Sequence, residues 1–156
     1  MNGKVIDIHN VQQYIGEYFA VHEFVGPRVY KKYGEKAWRF IDPRLLVVMY
    51  IIRTNLGRKI TANNWYWGGR FKERGLRVNI GAIVMGMVKK MILYLSSHIR
   101  GAALDFDVEG MTSKQVRLWI IENAHLFPFK IRLEKGVSWN HLDVDDEPSN
   151  PTVYLF

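Results

Sequence analysis

Two short stretches in which ionisable and apolar side chains alternate constrain the fold most. They are residues 103–107, which contain Asp105, and residues 139–144, which contain His141. In a β-strand successive side chains point to opposite faces, so each stretch predicts a strand with one polar face and one face that is apolar over most of its length. Asp105 and His141 lie on one face of these strands. The other face carries Leu104 and Phe106 in the first stretch and Asn140, Leu142 and Val144 in the second.

A third residue, His98, completes a set of side chains that suits a metal ion. Gly101 follows His98 and favours a tight turn, which would fold His98 back opposite Asp105. A catalytic zinc site needs three protein ligands from His and Asp or Glu, one coordination position left to water, and a nearby base that does not bind the metal. The sequence therefore predicts a Zn²⁺ site with His98, Asp105 and His141 as ligands.

Two further carboxylates lie near the predicted ligands. Asp143 shares a strand face with His141 and is placed to accept a hydrogen bond from a histidine nitrogen that does not bind the metal. Glu134 ends the preceding apolar run, and Lys135 and Gly136 predict a hairpin turn that would put Glu134 and His141 on paired strands.

The chain resembles the zinc peptidases of the DD-carboxypeptidase/Hedgehog-like fold between residues 96 and 143. The resemblance rests on Ser-x-His-x-x-Gly-x-Ala-x-Asp, a later Glu, and Trp-x-His-x-Asp. That family includes D-alanyl-D-alanine carboxypeptidases and dipeptidases and the L-alanyl-D-glutamate endopeptidases of phage lysins. The resemblance implies that Glu134 is the general base and that Ser96 is a hydroxyl that supports a ligand or contacts substrate.

The chain departs from the family upstream of this motif. Family members often carry a Ser-Gly-Tyr-Arg-like segment whose arginine reaches the substrate or the oxyanion, and residues 63–67 contain no arginine. Arg70, Arg74 or Arg77 would have to reach in from the next loop, and Arg77 is favoured because it is closest in sequence to the zinc motif. Two interpretations stay open for four residues of this segment, which would line the cleft or belong to the core: Asn63, Asn64, Trp65 and Trp67.

The resemblance implies a zinc metallopeptidase, either a carboxypeptidase or an endopeptidase, that hydrolyses a peptidoglycan stem-peptide bond next to a D-amino acid. Such a compact domain is typical of a lysin encoded by a phage or prophage. The alternative is a noncatalytic phage structural or cell-wall-binding protein that keeps the peptidase fold. The presence of Glu134 favours the enzyme hypothesis, because a noncatalytic metal-binding protein has little need of a general base. The bond that is cut and the oligomeric state are left open.

Composition sets further bounds. The 156 residues predict a single domain over 1–156, and the absence of cysteine excludes disulfides and a thiolate zinc site. The net charge of +7 favours polyanionic partners such as a bacterial envelope, whereas basic residues in blocks no longer than two argue against nucleic acid. His9, His22 and His125 lack comparable partners and are expected to be structural.

Two segments bear on localisation. The N-terminus has no signal-peptide pattern, so we expect synthesis in the bacterial cytoplasm and action at the wall after release or as a virion component. Residues 80–95 are strongly apolar, but Lys89 and Lys90 interrupt them, which argues against membrane insertion. The pattern favours a buried helix or strand pair over an amphipathic membrane contact.

Cap residues predict two helices. One begins after Asp42 with Pro43 in its first turn and ends at Gly57, and the other begins at Thr112 with a capping box. We also expect short helices and loops in residues 1–41, a strand in residues 59–65, a solvated acidic tail at 145–151, and residues 153–156 docking back on the core. Helices that cover one side of a small, mostly antiparallel sheet give an α+β fold, as in the DD-peptidase/Hedgehog-like family.

Overall fold

The protein has an α+β architecture, as the sequence predicts. The computed structural model describes residues 7–145 and 151–156, so most of the predicted acidic tail and the first six residues lie outside the described part. The helices are α1 (Val11–Ile15), α2 (Pro27–Tyr33), α3 (Pro43–Leu56), α4 (Ala82–Lys89) and α5 (Ser113–Glu122). The strands are β1 (Ile60–Thr61), β2 (Ala103–Val108), β3 (Ile131–Leu133), β4 (Asn140–Asp143) and β5 (Val153–Leu155).

The five strands form one sheet in the order β1-β2-β4-β3-β5. All neighbours are antiparallel except β3 and β5, which are parallel. The predicted alternation is confirmed, because Leu104, Phe106 and Leu142 are fully buried. Their neighbours on the opposite face of the sheet include Asp105 and His141, which lie directly across from each other on β2 and β4.

Helices cover the apolar face of this sheet. Both predicted helix starts are confirmed: the Asp42 carboxylate accepts a hydrogen bond from the Arg44 amide at the start of α3, and Thr112 forms a capping box with Gln115 at the start of α5. Helix α5 contacts β2 and β4, and α1 packs on α3. Short α-helices and 3₁₀ turns before residue 41 complete the core, as expected.

Two predicted local features need correction, and a third is confirmed. The strand expected over residues 59–65 is confined to β1, and Trp65–Trp67 form a 3₁₀ turn. Strands β3 and β4 are joined by residues 134–139 rather than by a two-residue turn, although Gly136 has the positive φ of a turn residue. The C-terminal residues dock back as predicted, since β5 pairs with β3.

The expectation that residues 80–95 are buried is wrong. These residues form α4 and a following segment without helix or strand, and within them Val84 is the buried hydrophobic residue. Met91 is 94% exposed and Leu93 is 81% exposed. A local apolar pattern reports the hydrophobicity of a segment, and it cannot report whether the rest of the chain supplies a surface to cover it. Within the described part of the chain, no helix has the length and apolar character to cross a membrane.

Candidate metal centre

Three predicted ligand side chains converge on the polar face of the sheet. His98 Nε2 lies 3.3 Å from Asp105 Oδ1 and 3.3 Å from His141 Nδ1. His141 Nδ1 lies 2.8 Å from Asp105 Oδ1. Among the residues that the structure describes, His98, Asp105 and His141 form the group that could hold a metal ion.

The spacing of these donor atoms fits a small metal ion. Metal–nitrogen bonds of about 2.0–2.1 Å at a tetrahedral angle place two donor atoms about 3.3 Å apart. Both distances that involve His98 Nε2 are 3.3 Å. The contact between Asp105 and His141 is shorter because a hydrogen bond joins the two groups through a proton. Replacing that proton by an ion requires a displacement of about half an ångström.

Local sequence explains how His98 reaches the sheet. His98 lies in a 3₁₀ turn, Ser97–Arg100, whose first amides are capped by the Ser96 hydroxyl, which accepts a hydrogen bond from the His98 amide. The turn ends at Gly101, whose φ of +67° lies in the left-handed region. A Cβ atom on Gly101 would stand 2.0 Å from the Phe40 carbonyl oxygen. Glycine is therefore required here both by conformation and by space.

The second nitrogen of each imidazole has a partner that fixes the orientation of the ring. His98 Nδ1 lies 2.8 Å from the Gly75 carbonyl oxygen. A carbonyl can only accept, so Nδ1 carries a proton, and in the neutral imidazole Nε2 then offers its lone pair to the centre. His141 Nε2 lies 3.3 Å from Asp143 Oδ2, the contact predicted from the alternation along β4. Partners of this kind are typical of metal-binding histidines.

Residues 74–77 run alongside the centre and connect it to the N-terminal half of the chain. The Asp105 amide donates to the Arg74 carbonyl at 2.7 Å, and the Arg77 amide donates to the His98 carbonyl at 3.1 Å. A Cβ atom on Gly75 would lie 2.1 Å from the Phe24 carbonyl oxygen, so a larger residue could not bring this carbonyl to His98.

The electrostatics of the metal-free centre are those of a buried ion pair. Burial raises the pKa of Asp105, but hydrogen bonds from His141 and His98 outweigh burial and hold that pKa well below its usual range. Burial lowers the pKa of His141, but its hydrogen bonds to Asp105 and Asp143 raise it overall to about 9. The pKa of Asp143 is lowered in spite of burial by His141 and Arg132. Near neutral pH the Asp105 and Asp143 carboxylates are thus ionised and the His141 imidazole is protonated.

The three candidate ligands lie in the wall of an open cavity of about 370 Å³. Glu134 lines the same cavity, and its amide donates to the His141 carbonyl at 3.2 Å, which continues the predicted pairing of β3 with β4. Aromatic and aliphatic side chains form much of the remaining wall: Tyr94, Leu95, Trp139 and Phe156.

The structure separates the three arginines that the sequence left as candidates. Arg77 lines the cavity, and its guanidinium donates to Asp105 Oδ2 at 2.9 Å and to the Tyr94 hydroxyl at 2.5 Å. Arg74 pairs with Asp107 at 2.6 Å, and Arg70 stacks on Phe71, so neither of them lines the cavity. Arg77 holds one oxygen of Asp105 and leaves the other facing the imidazoles.

The other candidate residues lie outside the cavity, in positions that suit a structural role. The residues expected to line the cleft or join the core do not line the cavity: Asn63, Asn64, Trp65 and Trp67. The Asn63 and Asn64 side-chain oxygens accept hydrogen bonds from the Arg74 and Phe71 amides and so shape the loop before Gly75. His22 stacks on Tyr66, and His9 and His125 are exposed, so none of the three joins the metal centre.

Sequence reasoning missed three contributors to the site. Arg132 donates two hydrogen bonds to Asp143, at 2.8 and 3.0 Å, and lies opposite it on β3. The predicted pairing of Glu134 with His141 has the same register, so counting two residues along each strand would have found this pair. The Gly75 carbonyl and the Tyr94 hydroxyl have no comparable signal, because they reach the centre through loops.

The identity of the centre rests on its own geometry. Searches found no family model, curated protein or solved structure that matches this chain. The motif between residues 96 and 143 therefore remains a resemblance, and the function that it implies is taken up as a proposal.

Proposed function

We propose that the protein is a zinc-dependent peptidase that hydrolyses a peptidoglycan stem-peptide bond next to a D-amino acid. The observation that carries the proposal is the convergence of His98, Asp105 and His141 in a cavity that also contains the unligated carboxylate of Glu134. Two imidazoles and one carboxylate are the donor set of catalytic zinc sites that keep one position open.

Zinc fits this donor set better than the harder or softer biological metals. Magnesium and calcium prefer all-oxygen sites, and copper(I) prefers sulfur, whereas two nitrogens and one oxygen suit zinc. When bound, zinc would supply Lewis acidity, which allows a water molecule to lose a proton near neutral pH and so to attack a peptide carbonyl.

The residues of the chain then have distinct roles. Glu134 accepts a proton from the attacking water and later donates it to the leaving amine. Asp143 and the Gly75 carbonyl orient the two imidazoles, and Arg77 orients Asp105. The open cavity has room for part of a peptide, and residues such as Trp139 supply aromatic surface for contact with it.

The substrate class is supported by chemistry as well as by the motif. Peptidoglycan stem peptides carry free carboxylates, and a chain with a net charge of +7 is attracted to such a polymer. The motif between residues 96 and 143 resembles that of peptidases acting next to D-amino acids.

The test is the release of muropeptide fragments by the zinc-loaded protein, measured by mass spectrometry. Glu134→Gln keeps the size of the side chain but removes the base, so we expect turnover to fall by about two to four orders of magnitude. Zinc content should stay unchanged, because Glu134 is not among the grouped donor atoms.

The matched control is Glu122→Gln, which makes the same change on the exposed side of α5, away from the cavity. Full activity in this control and loss in Glu134→Gln would support the assigned roles. Zinc-loaded protein that binds peptidoglycan without cleaving it would instead favour a noncatalytic cell-wall-binding protein.

A further inference from the structure

The exposed segment of residues 80–95, here called the apolar arm, is a feature that the metal centre does not explain. Helix α4 forms its outgoing half, and residues 91–95 return toward the centre. The apolar side chains of the arm that are exposed to solvent are Ile80, Ile83, Met85, Val88, Met91, Ile92, Leu93 and Leu95. Exposed apolar side chains at this density along one segment indicate an interaction surface.

Charge at the tip of the arm has one sign. Lys89 and Lys90 lie at the tip, whereas the carboxylate of Glu73 lies at the base, where it accepts a hydrogen bond from the Ile83 amide at the start of α4. An apolar tip that carries lysines and no carboxylate complements an anionic bilayer, in which the apolar side chains enter the boundary region and the lysines contact lipid phosphates.

The backbone conformation at the tip of the arm also favours a role in binding a bilayer surface. Met91 has a φ of +54°, in the left-handed region. The Met91 amide donates to the Val88 carbonyl and the Ile92 amide to the Met87 carbonyl, which is the helix-ending motif that usually places glycine at this position. A methionine here accepts backbone strain and presents an apolar side chain that is 94% exposed.

We propose that the apolar arm binds the surface of an anionic lipid bilayer. A protruding tip with two adjacent lysines suits a bilayer better than a second copy of the chain, because a symmetric contact through the tip would bring like charges together. A soluble polyanion alone would leave Leu93 and Met91 exposed to water. The arm docks from one side, without crossing the bilayer.

Docking would place the metal centre close to the membrane surface. Leu95 belongs both to the exposed surface of the arm and to the wall of the cavity, and its neighbour Tyr94 accepts a hydrogen bond from Arg77. The proposal does not depend on the peptidase activity, because it rests on the exposure and charge of the arm.

The experiment is cosedimentation of the full chain with vesicles of phosphatidylcholine containing phosphatidylglycerol, and with vesicles of phosphatidylcholine alone. We expect binding to the anionic vesicles that weakens with added salt. Leu93→Ser should weaken it about tenfold, and each of Lys89→Gln and Lys90→Gln about fivefold.

The variant Met91→Gly tests vesicle binding without destabilising the fold. Glycine relieves the left-handed strain, so this variant should be at least as stable as the parent and yet bind vesicles about fivefold more weakly. The matched control is Leu118→Ser, which removes an exposed leucine from α5 and should leave vesicle binding unchanged.

Three results would overturn the proposal. One is the absence of binding to anionic vesicles, and another is equal binding by the parent and Leu93→Ser. The third is a concentration-dependent dimer in sedimentation velocity that Leu93→Ser dissociates, with no vesicle binding, which would assign the arm to a second copy of the chain.

Discussion

At the scale of single residues, His141 is the most informative side chain, because it lies between two carboxylates. Its pKa of about 9 means that the metal-free chain keeps this imidazole protonated near pH 7. A metal ion needs the Nδ1 lone pair, so binding must expel that proton. Below pH 9 the affinity for zinc should therefore rise with pH, by up to about tenfold per unit for one proton.

Calorimetry of zinc binding in buffers of different ionisation enthalpy measures this proton. We expect release of about one proton per zinc near pH 7. His125→Ala alters an exposed histidine outside the centre and should release the same number. Zinc binding without proton release would mean that His141 is neutral in the metal-free protein.

Arg77 offers a second prediction at this scale, because its contact with Asp105 suggests a role different from stabilising an oxyanion. If Arg77 orients Asp105, Arg77→Ala should weaken zinc binding about 10–100-fold. If it stabilises the oxyanion instead, turnover should fall while zinc affinity stays unchanged.

Zinc titration and muropeptide turnover, measured on the same variant, distinguish the two roles. Arg70→Ala is the control, since Arg70 stacks on Phe71 outside the cavity. Losses of similar size at Arg70 and Arg77 would show that neither role belongs to Arg77 alone.

At the scale of elements, the 3₁₀ turn that carries His98 depends on Gly101. Gly101 and Gly136 both have positive φ, but a Cβ atom on Gly136 would meet nothing within 4 Å. Gly136→Ala should therefore lower the free energy of unfolding by about 1–2 kcal/mol, the cost of a left-handed alanine. Gly101→Ala adds the clash with Phe40, so its loss should be greater by a further 1–3 kcal/mol or so.

Urea denaturation of the two variants measures the difference between them. The conformational penalty is common to both, so the excess loss in Gly101→Ala reports the contact with Phe40. Equal losses would show that the turn moves away from Phe40 at little cost.

The elements that the sequence predicted correctly are those whose signals are local. Asp42 and Thr112 start α3 and α5 with side-chain caps, and such caps act within one turn of a helix. The apolar arm was placed wrongly because burial depends on a partner surface, which no local pattern specifies. The β3–β4 connection was predicted too short because Gly136 marks a turn without fixing its length.

The predicted site divides in the same way. The convergence of Asp105, His141 and Asp143 follows from the two-residue period of paired strands, which the sequence displays directly. The Gly75 carbonyl could not have been foreseen, because every residue has a carbonyl and only the path of the loop brings this one to His98.

At the scale of the whole molecule, the candidate metal centre joins the turn Ser97–Arg100 and the neighbouring strand β2 to β4, which is distant from them in sequence. Because an ion would bind the folded chain and not the unfolded one, zinc should stabilise the fold, by about 2.7 kcal/mol at a hundredfold excess over its dissociation constant. We expect one zinc per chain by elemental analysis and a rise in the melting temperature on adding zinc.

His141→Ala should lose both the bound zinc and the zinc-dependent rise in melting temperature. The control for this experiment is His125→Ala. It is more suitable than His22→Ala, because His22 is buried in an aromatic cluster. A metal content near zero that added zinc cannot raise would count against the centre.

The path of residues 74–77 has a consequence for protein engineering. The ligand motif is contiguous over residues 96–143, which invites its use as a cassette to be grafted onto another scaffold. Yet the carbonyl that orients His98 belongs to Gly75, and the closeness of Phe40 to Gly101 shapes the turn before β2. A chimera that contains residues 96–143 alone would therefore carry the ligands but lack the groups that orient them. A functional graft also has to include the upstream loop that contains Gly75.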